Sequence, residues 1–222
     1  MRKTTPLFTG CILSAAVLAA TTSWAGEDER MYEVTVTNLT RGVSFTPILA
    51  ATHLAGVRLY QLGQPASSAL AILAEGGATA PLAAVLAATP HATTAATAGL
   101  LAPGKTVRLT LAAHDNVSHI SVAAMMIPTN DAFIAVNGMP LPKGMEMATF
   151  LSNGHDAGSE PNDELCANIP GPACGGEGVS PNASGEGFVH VHAGIHGIGN
   201  LTAADYDWRN PVARITVRRT DR

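Results

Sequence analysis

The chain has 222 residues, of which 46% are hydrophobic, 14% charged and 5% aromatic, with 13 basic residues against 17 acidic ones. This composition is too apolar for a disordered chain and too poor in charge for a coiled coil, and the length suits one domain with a sizeable core. A formal charge of -4 without a long basic run argues against binding to a nucleic-acid backbone.

The first 25 residues have the pattern of a secretory signal peptide. Arg2 and Lys3 form a basic start, residues 11–20 are apolar, and residues 23–25 form a small-x-small cleavage site. We therefore predict a signal peptide over residues 1–25, one mature domain over residues 26–222, and a periplasmic or extracellular location. A lipoprotein box ending at Cys11 is the competing interpretation, but the apolar segment before that cysteine is very short. No later stretch reaches the roughly 18 apolar residues that a membrane span needs.

The first half of the mature chain combines strand and helix patterns. Residues 32–37 alternate between β-branched and polar side chains and predict a strand. Residues 45–53 predict a second, nearly continuous apolar strand, with Pro47 indicating an edge or a bulge. Residues 66–74 and 81–88 carry apolar side chains at helical spacing, so they predict two short helices that form a lid or side layer.

The second half is dominated by strand patterns and one long loop. Residues 106–111 and 120–126 alternate at a period of two around a turn, which predicts a β-hairpin. Residues 152–187 show almost no periodicity, and loops of that length are often functional. About eight short strands in total predict an all-β fold, an antiparallel β-sandwich with short helical insertions. The remaining predicted strands cover residues 132–136, 147–151, 188–192 and 212–218.

Two cysteines lie in this long loop, Cys166 and Cys174. In an exported chain, a disulfide that closes a small loop is the simplest interpretation of such a pair. A metal site made from these two thiols is the alternative, but the sequence lacks a CxxC spacing.

The densest polar cluster is residues 153–164, NGHDAGSEPNDE. Calcium takes six to eight oxygen ligands, and this stretch offers many carboxylate, amide and carbonyl oxygens. The twelve-residue spacing of an EF-hand is absent, and on composition alone a solvated loop explains the cluster equally well. The four carboxylates in this stretch are Asp156, Glu160, Asp163 and Glu164.

Three further motifs are PTNDAF at residues 128–133, DAGSE at residues 156–160 and VARITV at residues 212–217. Together they resemble the spondin domain of secreted matrix proteins of the F-spondin and mindin type. The resemblance covers most of residues 31–220. The chain looks like a bacterial branch of the family in which the domain stands alone. It implies a C2-like β-sandwich with a calcium ion held by the aspartate at the start of a strand and by the first and fifth residues of the DAGTD-type loop. Carried over, these ligands are Asp131, Asp156 and Glu160, with glutamate standing where the family has its second aspartate.

A second candidate metal site is the histidine cluster in FVHVHAGIHG. His190 and His192 would point to the same face of a strand, and the glycines that follow would let His196 approach them. Imidazoles in this arrangement suit copper or zinc. The alternative interpretation is that these histidines form hydrogen bonds with the long loop.

These observations favour an exported, non-catalytic calcium-binding domain with a binding, adhesion or cell-envelope role. Its partner would be a protein or a surface glycan, and the residues do not indicate an oligomeric state. A periplasmic copper- or zinc-binding protein using the three histidines is the alternative. An enzyme is not predicted, because the sequence has no GxSxG motif and no free thiol placed with a histidine partner.

Overall fold

Two antiparallel β-sheets, with helices on one outer face, form the described part of the chain. The computed structural model describes residues 29–114, 116–180 and 184–221, so the predicted signal peptide lies outside the described residues. No helix within these ranges is long and apolar enough to cross a membrane.

The strands are β1 (Arg30–Asn38), β2 (Ser44–Phe45), β3 (Leu49–His53), β4 (Thr93–Ala96), β5 (Thr106–Ala113), β6 (His119–Ile127), β7 (Ala132–Pro140), β8 (Met147–Ser152), β9 (Gly154–Asp156), β10 (His190–Val191) and β11 (Ala213–Arg219). The helices are α1 (Ser68–Gly76), α2 (Ala80–Ala87) and α3 (Ala203–Tyr206), and a 3-10 helix covers Cys166–Asn168.

The first sheet has four strands in the order β5-β1-β11-β8. In β1 every second side chain is buried, as the alternation of its sequence predicts. Val34 pairs with Val217 and Val36 with Ile215, and all four side chains are fully buried. This apolar face packs against the second sheet and forms the main core of the sandwich.

The second sheet has seven strands, in the order β10-β9-β7-β6-β3-β4 with β2 added on β6, and its central strands β3 and β6 are buried on both faces. Ile134 in β7 belongs to the core between the sheets, whereas its neighbour Phe133 packs in a second core with Leu70 and Leu73 of α1. The two helices therefore form the predicted side layer. Burial on both faces explains why β6 is an almost continuous apolar run after its first residue, interrupted by Ser121 alone.

The predicted antiparallel β-sandwich with short helices is confirmed, but several details of the prediction are wrong. The described residues contain eleven strands rather than about eight, since β4 and β9 were not predicted and one predicted strand is divided in two. The stretch 45–53 is split into β2 and β3, with Pro47 in the break. The predicted hairpin of residues 106–126 does not form, because β5 pairs with β1 while β6 pairs with β3 and β7 in the other sheet. The strand predicted over residues 188–192 is reduced to β10.

The long loop between β9 and β10 is tied internally and to the sheets. The predicted disulfide between Cys166 and Cys174 is present, with a Cα–Cα distance of 4.7 Å. Asp163 accepts hydrogen bonds from the side chains of Asn130 and Asn168, at 3.1 and 2.7 Å. These ties place the first half of the loop over the start of β7, where the candidate site lies.

Candidate metal site

Strand pairing brings Asp131 and Asp156 to neighbouring positions. Asp131 directly precedes β7, and the first residue of that strand, Ala132, pairs with Asp156 at the end of β9. Both aspartates have 0% relative exposure. The loop after β9 then folds back, so the backbone N–H groups of Ser159 and Glu160 donate to Oδ2 of Asp131 at 2.7 and 3.1 Å. The DAGSE segment therefore wraps around the aspartate that begins β7.

The two aspartates form a buried acidic pair in which three of the four carboxylate oxygens accept hydrogen bonds. Oδ1 of Asp131 has no hydrogen-bond partner among the described residues. Burial and the negative charge of Asp156 raise the pKa of Asp131 to about 8, although donors from Ser159 and Glu160 oppose the shift. Burial also raises the pKa of Asp156, against hydrogen bonds from Asn162 and Gly158. An unpartnered oxygen beside a second buried carboxylate is the environment in which a bound cation would lower the electrostatic cost.

The side chain of Glu160 is also buried and lacks hydrogen-bond donors among the described residues. Its acidic neighbours are not the same as those of Asp131. The residue is 1% exposed, and neither carboxylate oxygen has a hydrogen-bond partner among the described residues. Burial raises the pKa of Glu160 to about 7, with smaller increases from Glu75 and Asp163 and an opposing influence of the nearby polar side chains of Ser180 and Asn130. Within the described ranges, the ligand atoms of Asp131, Asp156 and Glu160 do not all lie within 4.8 Å of one another.

A different trio does converge at this distance. One ligand atom each from Asp156, Glu186 and His190 lies within 4.8 Å of the other two, and this is the one such group of three or more among the described residues. His190 is the cross-strand partner of Asp156, and its Nε2 lies 3.7 Å from Oδ2 of that residue. His192 also places its Nε2 3.7 Å from the same oxygen. The sequence reasoning missed Glu186, whose only local signal is its position between two glycines just before the His-x-His strand.

Asn162 links the members of this group. Its Nδ2 donates to Oδ2 of Asp156 at 2.6 Å and to Oε1 of Glu186 at 3.2 Å. Its Oδ1 lies 3.0 Å from Nε2 of His192. Burial, with smaller contributions from the nearby His190 and His196, lowers the pKa of His192 to about 4. The imidazole of His192 is therefore neutral at neutral pH, which is the form that binds metals.

His196 lies outside the converging group. Its side chain is exposed, with Nε2 3.4 Å from the carbonyl oxygen of Ala193. Its backbone N–H instead donates to Oε1 of the buried Glu164 at 2.6 Å. The other oxygen of Glu164 accepts from the N–H groups of Gly197 and Ile198 at 2.8 and 2.9 Å. Of the three predicted histidines, the structure brings His190 and His192 to Asp156 and leaves His196 on a turn held by Glu164.

The chain matches the model of a known protein family. The family model described as Spondin_N matches residues 28–160, which is more than half of the chain. The matched segment includes Asp131, Asp156 and Glu160, and it stops before Glu186 and the cluster of His190, His192 and His196. No curated protein matches the chain.

Proposed function

The chain belongs to the Spondin_N family, and from this premise we propose that it is a secreted, adhesion-type binding domain stabilised by one calcium ion. The family and the disulfide are consistent with an extracellular or secreted protein. The observation that supports the calcium ion is the unpartnered Oδ1 of Asp131, buried beside Asp156. Carboxylate oxygens of this kind are the ligands that calcium prefers.

In this proposal Asp131 and Asp156 hold the ion, and Glu160 is the third ligand that the family resemblance implies. The bound cation would supply positive charge between carboxylates that otherwise repel one another in a buried environment. The chain's own residues would hold the loop in place, since Asp131 already binds the N–H groups of Ser159 and Glu160 through its other oxygen. The ion would therefore fix the long loop on the start of β7.

Calcium titration of metal-free protein, followed by calorimetry and thermal unfolding, tests this proposal. We expect one equivalent of calcium to bind, and an excess of 100 times the Kd to stabilise the fold by about 2.7 kcal/mol. Asp131→Asn and Asp156→Asn should abolish this stabilisation. Glu146→Gln is the matched control, because it neutralises an exposed carboxylate just before β8 that is not one of the proposed ligands. Full calcium affinity in Asp131→Asn would overturn the proposal.

Glu160→Gln examines the third ligand separately. If Glu160 binds the ion, this variant should weaken calcium binding while Glu146→Gln does not. Unchanged affinity would limit the protein ligands to the two aspartates and remove Glu160 from the proposed site.

The binding role has its own experiment. We propose a protein or a surface glycan as the partner and no catalytic activity. A glycan array and purified matrix proteins, each tested with calcium and with EDTA, should reveal retention that depends on the folded domain. Turnover in a screen of ester and glycoside substrates would contradict the non-catalytic part of the proposal.

A further inference from the structure

The edge of the seven-stranded sheet carries a second set of metal-type ligands, separate from Asp131. β10 pairs antiparallel with β9, and His190 lies directly opposite Asp156. Side chains of directly opposed residues project from the same face of a sheet, with Cβ atoms about 5 Å apart. Glu186, in the loop before β10, completes a trio whose ligand atoms lie within 4.8 Å of one another.

We propose that Asp156, Glu186 and His190 bind a divalent transition-metal ion of the zinc class, with His192 as the fourth ligand. Two imidazole nitrogens and two carboxylates form a set that zinc uses in proteins, whereas calcium takes oxygen ligands and Cu(I) favours sulfur. Ligand atoms that share a zinc ion lie at most about 4.2 Å apart, given bonds of about 2.1 Å. Small side-chain rotations would bring the trio to that separation.

The contacts of Asn162 support a cation at this position. Its single amide nitrogen donates to Asp156 and to Glu186, so a neutral group bridges two carboxylates. A cation there would balance both charges, which the amide dipole does only in part. The Oδ1 atom of the same side chain is hydrogen-bonded to Nε2 of His192. Metal binding would therefore displace the Asn162 side chain and free His192 at the same time.

The burial of the ligands suits a site that opens to solvent. Asp156 and His192 are buried, whereas the side chain of His190 is 30% exposed and Glu186 lies on the surface. A metal ion could thus enter from the side of Glu186 without unfolding the sheet. The site shares Asp156 with the proposed calcium site, but its other ligands are different, so the two can be separated by mutation.

Zinc titration of untagged, metal-free protein tests the proposal, with affinity measured against a competing chelator. We expect one equivalent of zinc to bind to the wild type. His190→Gln and Glu186→Gln should each weaken zinc binding by roughly tenfold or more, since even outer-shell changes around metal sites cost about 10- to 100-fold. Both variants should keep the calcium response of the wild type. Asp131→Asn should do the reverse, losing calcium and keeping zinc.

His196→Gln is the matched control, because it removes an exposed histidine that the structure places outside the group. It should leave zinc affinity unchanged. Cobalt substitution gives a second readout, because the visible spectrum of a bound Co2+ ion should change in His190→Gln and remain unchanged in His196→Gln. Absence of zinc binding in the wild type, or an equal loss of affinity in His196→Gln and His190→Gln, would overturn the proposal. Thermal unfolding of each metal-free variant shows that the fold is retained.

Discussion

The backbone N–H of Glu160 donates to Oδ2 of Asp131 over 3.1 Å, although 29 residues separate the two along the chain. Ser159 binds the same oxygen through its N–H and its hydroxyl. One oxygen of Asp131 is thus saturated by the loop, while the other has no partner among the described residues. Hydrogen bonds therefore hold the DAGSE loop in place, but they do not balance the negative charge of the buried carboxylates.

In the absence of calcium, the free energy of unfolding should fall as the pH rises through neutrality to about 8, and this decline should level off above that pH. The pKa of Asp131 is raised from its usual value of 3.8 to about 8, so between these values the folded state keeps a proton that the unfolded state has lost. The stabilisation that comes from this proton is complete below the unfolded pKa of 3.8 and is lost as the pH rises through the folded pKa of about 8. Urea unfolding in EDTA at several pH values measures this slope. Asp131→Asn should reduce this slope, leaving the smaller contributions of Asp156 and Glu160, and an equal slope in that variant would show that another group is responsible.

Gly158→Ala should disrupt the DAGSE loop. Gly158 has a φ of +65°, and a Cβ at this position would lie 2.3 Å from the carbonyl oxygen of Phe188. Both the backbone strain and the clash act on the segment between Asp156 and Glu160. We expect a loss of calcium-induced stabilisation in thermal unfolding. Gly99→Ala is the control, because its φ of +70° is similar but its surroundings are open. Equal effects of the two changes would mean that the clash is unimportant.

Glu164→Gln should loosen the turn that carries His196. The carboxylate of Glu164 accepts three backbone N–H groups, from His196, Gly197 and Ile198. A glutamine amide has one oxygen that can accept, and its NH2 group would face a backbone N–H that also needs an acceptor. We therefore expect the free energy of unfolding to fall by about 1.5–3 kcal/mol. Hydrogen exchange at residues 196–198 should also accelerate. Glu177→Gln, an exposed change in the same loop, should do neither.

Removing the disulfide should destabilise the fold without affecting either proposed metal site. Replacing both Cys166 and Cys174 with serine frees a loop closed over a sequence separation of 8. A loop of this size corresponds to about 2–3 kcal/mol of stabilisation through the unfolded state. Guanidinium unfolding measures the change, and reduced wild type should behave like the double variant. A loss of calcium binding in the double variant would show that the bridge positions the ligands.

Local patterns predicted the strands better than they predicted the strand pairing. The alternation in β1 and β11 follows from burial of one face, so Val34 and Ile215 could be placed in the core from sequence. The false hairpin at residues 106–126 arose because alternation identifies a strand but not its partner. β9 was missed because Gly154–Asp156 has no apolar alternation, and its pairing depends on contacts with β7 and β10.

The candidate site likewise has a part that the sequence predicted and a part that it did not. The burial of Asp131 and Asp156 side by side agrees with the motif resemblance, because that motif preserves a pairing between distant segments. The inclusion of Glu186 and the separate position of His196 could not be predicted. The first depends on how the long loop returns to β10, and the second on the three N–H groups that Glu164 holds.

The pairing of β1 with β11 constrains when the fold can be completed. β1 lies between β5 and β11 in the four-stranded sheet, and β11 also provides the only described link from β1 to β8. A nascent chain that ends before residue 213 has β1 and β8 but nothing to join them, and the apolar faces of Val34 and Val36 stay uncovered on that side. Such a long sequence separation slows the closing step and delays it until synthesis of the sandwich is nearly finished. The four-stranded sheet therefore cannot be completed until the last strand, β11, has been synthesised.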